Sequence, residues 1–176
     1  MTKLAKRILL ISGGIAGIVI ISVAGFAALV LYTFDFDGHQ YPHRSDEKMI
    51  QIFRERRTEF DEVRTIAMSD PVIRRVDENW TDPPNIAEDK VAKFRELFRV
   101  IRTPRGISKY RSSGELEIIA SALGWVASGS TKGYLYAEGK PSGTIMNSLD
   151  DTEDLTSVGD RYLKPIEGNW YLFFER

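Results

Sequence analysis

Two short stretches of this chain carry residue types and spacings that chemistry can use. Asp150, Asp151, Glu153 and Asp154 crowd four carboxylates into one loop. Such oxygens either ligate Ca²⁺ or act in pairs as acid and base on a glycosidic bond. The glycine and the spacing of a calcium loop are missing, so the catalytic reading is a small glycan hydrolase using the carboxylates of loop 150–154, with no metal and no cofactor. Upstream, Ser128-Gly129-Ser130-Thr131-Lys132-Gly133-Tyr134 sets small hydroxylated residues around glycines, which exposes backbone donors, and adds a charge and a flat ring. Ser128, Ser130, Lys132 and Tyr134 are therefore the candidate contact residues of a recognition loop.

Other motifs fail on context. Gly124 to Thr131 has the glycine spacing of a phosphate loop, but Ser130 stands where its lysine belongs and a strand, not a helix, is expected next. Ser45-Asp46-Glu47-Lys48 matches the Ser-x-x-Lys of penicillin-recognising enzymes without their other motifs. His39 and His43 are separated by Pro42, which forbids the helix that would pair them on one face as metal ligands. With both histidines read as part of a linker, a Ser-His-Asp triad has no base. The absence of cysteine removes disulfides, thiol chemistry and lipoprotein acylation together.

The elements that must position these residues follow from periodicity. Ser45 is an N-cap with Asp46 and Glu47 in the first turn. Met49, Ile52, Phe53, Phe60, Val63, Ile66 and Ala67 then recur at helical steps, predicting one amphipathic helix of about six turns that ends at Ser69-Asp70-Pro71. Trp80 is expected to pack under the Pro83-Pro84 loop. A second helix starts from Asn85 and Glu88, read as a variant capping box, and buries Val91, Phe94, Leu97, Phe98 and Ile101 before Thr103-Pro104.

From Ile107 the period turns to two. Short strands are predicted at 107–111, 115–121, 125–128 and 133–137, then a long loop from Glu138 to Gly159, and finally a hairpin of 161–166 and 170–175 about Glu167-Gly168-Asn169. In the last strand Trp170, Leu172 and Phe174 point one way and Tyr171 and Phe173 the other, so it belongs inside the sheet. The expected fold is α+β: two amphipathic helices on one face of an antiparallel sheet of about five strands.

Ser130-Thr131-Lys132-Gly133-Tyr134, Asn147-Ser148-Leu149-Asp150 and Ile166 to Phe173 resemble segments of small uncharacterised bacterial envelope proteins with a single-pass membrane anchor. The resemblance covers the C-terminal third and implies an envelope location without an activity. The Ser128 to Lys132 portion is also similar to the inhibitory loop of periplasmic lysozyme inhibitors. Those are all-β and often disulfide-linked, whereas this chain has helices and no cysteine, so no residue role carries over.

Everything is organised behind Ile8 to Tyr32, an apolar run without a charged, amide, histidine or proline side chain. As a helix it reaches about 37 Å, enough for a hydrocarbon core of about 30 Å. Lys3, Lys6 and Arg7 precede it and Tyr32 and Asp35 close it, which predicts a cytoplasmic N-terminus of residues 1–7, a transmembrane anchor at 8–32, a juxtamembrane linker at 33–44 and an exported domain at 45–176. A cleaved signal peptide would have a shorter apolar core and a polar exit. Gly13 and Gly17 form a small-xxx-small pair through which two anchors could dimerise. Residues 33–176 hold all 25 acidic residues and 21 of the 24 basic ones, a formal charge of −4 that gives no attraction for nucleic acid. The expectation is a non-catalytic, membrane-anchored binding module of the bacterial inner membrane, its domain periplasmic or extracellular and its partner an envelope protein.

Overall fold

Ser45 caps the first helix as its sequence predicts, its side chain accepting from the Lys48 amide. The computed structural model describes residues 43–110, 114–123, 129–150 and 159–176. The expected anchor Ile8–Tyr32, its flanks Lys3, Lys6 and Arg7, the Gly13/Gly17 pair, the expected linker up to residue 42 and the strand expected at 125–128 lie outside the described residues. Among the described residues no helix is long and apolar enough to cross a membrane.

The class is α+β, with three helices and one eight-stranded mixed sheet among the described residues. The single six-turn helix expected from 45 to 69 is two, α1 (Asp46–Glu55) and α2 (Arg57–Ser69). Arg56 leaves the helical region at φ −124° and ψ 27°. The break lets Phe53 and Phe60, whose ring centroids are 5.1 Å apart, both meet Tyr134 and Trp170. A short hairpin follows, β1 (Arg75–Val76) and β2 (Thr81–Asp82). Trp80 at its tip is not packed under a loop: it is half exposed, with the Arg75 guanidinium stacked on its ring. Helix α3 (Glu88–Ile101) buries the predicted stripe, but Ala87 is its N-cap and Asn85 makes no capping bond to it.

The strands β3 (Ile107–Tyr110), β4 (Glu115–Leu123), β5 (Ser130–Ala137), β6 (Thr144–Ile145), β7 (Arg161–Glu167) and β8 (Trp170–Glu175) complete the sheet in the order β2-β1-β3-β4-β5-β8-β7-β6. Consecutive pairings are antiparallel except β6 with β7. The count exceeds the expected five because β1, β2 and β6 have two residues each, too short for a period to register.

The three helices cover one face of the sheet. Met49, Phe53, Phe60, Phe94 and Ile101 pack there on Leu116, Ile118, Tyr134, Tyr136, Trp170 and Leu172. Burial of this many large apolar and aromatic side chains, each contributing about 1.5–3 kcal/mol, is what holds a disulfide-free domain together. Ile119, Leu135, Leu163 and Phe173 make a second cluster from the alternate positions. Strand β8 contributes to both, which is why its two apolar faces place it between β5 and β7.

Candidate functional site

The sheet positions that carry the site are set by one irregularity. Register along the β4–β5 pair runs Ile118 opposite Tyr134 and Ile119 opposite Gly133, then jumps so that Ser121 stands opposite Lys132. The extra residue, Ala120, is a bulge. It sets Ser121 opposite Lys132 on the helix-covered face, where its hydroxyl and that of Ser130 both reach His43. Gly133 allows the strands to close at that point, since a Cβ there would lie 2.4 Å from the Ile118 carbonyl oxygen and 2.7 Å from Phe173 Cε1.

Lys132 is the centre of a buried acid–base network and is 1 % exposed. Its Nζ is 2.8 Å from Asp46 Oδ1 and donates to Asp150 Oδ1 at 2.6 Å. Asp46 Oδ2 accepts from Lys164 Nζ at 3.0 Å and from the Leu149 amide at 2.8 Å. The Asp46 amide, one of the unpaired donors of a helix N-terminus, donates to both Asp150 oxygens at 3.0 Å. Asp150 thus caps α1 from a distant loop and adds negative charge where the helix dipole favours it. Burial alone would raise the Asp46 pKa, but the Leu149 amide, Lys132 and Lys164 together hold it below the usual carboxylate range.

His43 adjoins the network and corrects the reading that no histidine belongs to the folded region. Its Nδ1 is 2.6 Å from Ser121 Oγ, its Nε2 is 2.8 Å from Ser130 Oγ, and its ring meets Phe174 edge-on. Burial, and after it the charge of Lys132, push its pKa down to about 4, so the ring is neutral at physiological pH.

Of the residues expected to form an exposed recognition loop, Ser128 lies outside the described residues and Ser130 bonds His43. Lys132 is paired in the interior, and Tyr134 is fully buried with its hydroxyl donating to the Met49 carbonyl at 3.1 Å. The period-two column Ser130, Lys132, Tyr134, Tyr136 carried the signal that this stretch is a strand with one face inside. Of the acidic cluster, Asp150 serves as counter-ion and cap, while Asp151, Glu153 and Asp154 lie outside the described residues.

Beside the network, where the helix layer ends over β7, an open groove of about 550 Å³ is lined by Asp46, Glu47, Ile50, Gln51, Arg54, Glu55, Asp150 and Lys164. Glu47, Gln51, Arg54 and Glu55 are exposed along one side of α1. Ile50 gives the groove an apolar floor packed against the core.

A second cluster of titratable groups occupies the other face of the sheet. Arg161 bonds Glu115 at 2.9 Å and Glu117 at 2.5 Å, with Glu175 at 3.5 Å and the Tyr110 ring beneath its guanidinium. Burial, reinforced by Glu175 and Glu115 and opposed by Arg161, pushes Glu117 up to about 7. Among the described residues no group of histidines and carboxylates has a metal-holding arrangement. No protein-family model, curated protein or solved structure matches this chain.

Proposed function

We propose that the chain is a membrane-anchored binding module of the bacterial envelope, held by Ile8 to Tyr32 with its N-terminus in the cytoplasm and presenting its α+β domain outside the inner membrane. The observation that carries the binding reading is the state of the site's charges. Lys132, Asp46 and Asp150 are committed to one another, and the accessible feature beside them is a groove with charged walls and an apolar floor. That combination suits recognition of a protein segment, polar groups fixing its orientation and Ile50 taking an apolar side chain. The contact surface is therefore the groove along α1 rather than the 128–134 stretch.

The reading is tested separately at the anchor, at the groove and at the Gly13/Gly17 pair. A reporter fused after residue 44 should be active only as an exported enzyme, and alkaline washing should leave the chain in the membrane; release by alkali would sink the anchor. A photoreactive side chain at Gln51 should capture one envelope protein in cells that the same probe at Glu96, exposed on α3, does not. That protein, once purified, should bind the chain and lose affinity on Glu47→Lys with Glu55→Lys; equal capture at both positions would remove the groove as the contact surface. Pairing of two anchors through Gly13 and Gly17 is the proposed route to a homodimer, and Gly17→Ile should abolish self-association in a membrane two-hybrid assay.

A further inference from the structure

His43 stands at the point where the chain from the membrane-proximal side joins the domain, and three strands hold its ring: β4 through Ser121, β5 through Ser130 and β8 through Phe174. A neutral imidazole donates from one nitrogen and accepts at the other, so one serine hydroxyl can satisfy each. The charged groups facing it come from every element packed nearby. Lys132 of β5 is the closest in effect. Behind Lys132 are Asp46 of α1, Asp150 and, through Asp46, Lys164 of β7. Arg44, next to the histidine in the chain, points away and donates to the Arg102 carbonyl at 2.7 Å. A proton added to the ring would place a second cation beside Lys132, whose own counter-ions, Asp46 and Asp150, line and cap the first turn of α1.

We propose that His43 is an acid-released latch: on protonation the ring leaves Ser121, Ser130 and Phe174, the first turn of α1 loosens, and the groove at Glu47, Gln51 and Arg54 changes shape. The latch regulates the contact surface put forward above and rests on that reading. Its energetics have a definite sign. The ring's pKa is about 4 when docked and about 6.5 when free, so docking is fully favoured above the free value and weakens as pH falls toward the docked one.

The test uses the full chain in lipid nanodiscs and reads hydrogen exchange of the amides from Glu47 to Ile50, corrected for intrinsic rates, at pH 7 and pH 5. The opening constant should rise about 20-fold between these values in the native chain, and His43→Gln, which keeps hydrogen-bonding groups but cannot charge, should show no such step. The His43 ring resonances supply an independent measurement in the unaltered protein, with a midpoint expected between the docked value of about 4 and the free-histidine value. Flat exchange in the native chain, an equal rise in His43→Gln, or a ring midpoint at the free-histidine value would overturn the latch. Exchange needs no partner, so failure to capture a protein at Gln51 would count against the contact surface alone.

Discussion

Lys132 Nζ and Asp46 Oδ1 stand 2.8 Å apart with their side chains 1 % and 3 % exposed, joining a central strand to the first residue of a helix. Two charges so far from water are stable together only because further partners surround them: Asp150 on the lysine, and Lys164 and the Leu149 amide on the aspartate. The pair fixes where α1 begins relative to the sheet, and with it the groove along α1.

Removing one member leaves the other charged and buried. Lys132→Met and Asp46→Leu should each lower stability by about 3–5 kcal/mol in urea unfolding, whereas the double variant should lose much less than the sum. Additive losses would mean that the two side chains are not energetically coupled. Asp150→Ala should cost less than either, because its side chain is 40 % exposed and water can replace it.

Glu117 gives stability a dependence on pH opposite to that of Asp46 and His43. Its folded value is raised to about 7 from an ordinary 4.5, so its contribution is whole below the ordinary value and disappears as pH rises through about 7. Glu117→Gln should therefore stabilise the chain at pH 8 and change it little at pH 5. A loss at pH 8 equal to that at pH 5 would show that the Arg161 bond outweighs burial.

Acid should act in two windows. As pH falls from about 6.5 to about 4, the His43 contribution is lost; its folded value is depressed, so the unfolded chain takes up the proton first. Asp46, also held below its usual value, loses its contribution only below the ordinary carboxylate range. Stability curves from pH 8 to pH 3 should show the upper step removed by His43→Gln and the lower reduced by Asp46→Asn. If His43→Gln leaves the upper step intact, another group carries it.

Gly106 and Gly114 have nearly the same positive φ, 69° and 67°, but different surroundings. A Cβ on Gly106 would lie 1.9 Å from the Val76 carbonyl oxygen, while one on Gly114 would meet nothing within 4 Å. Gly114→Ala should cost about 1–2 kcal/mol for the left-handed backbone alone, and Gly106→Ala distinctly more, since β1 and β3 must part. Equal melting temperatures would show that the close approach relaxes freely.

Much of the fold is legible locally. The Ser45 cap, the apolar stripe of α3 and the two-sided apolar β8 follow from periods of 3.6 and two and from capping chemistry, all contained within a few neighbouring residues. The break at Arg56 was hidden because charged residues occur there on a helical surface in any case. It is required by where Phe53 and Phe60 must both stand against Trp170.

The chain by itself therefore determined its α+β class, most of its helix and strand positions and the apolar run that precedes the domain, since each depends on the intrinsic pattern of a contiguous segment. The tertiary structure alone decided the site. Lys132 looked like a solvent-facing lysine between glycines until the bulge at Ala120 and the arrival of Asp46 and Asp150 from opposite ends of the domain enclosed it. His43 had no signal at all, because its partners Ser121 and Ser130 are brought together only by strand pairing. Burial and the resulting shift of a titrating group are properties of many distant residues at once, and no local spacing encodes them.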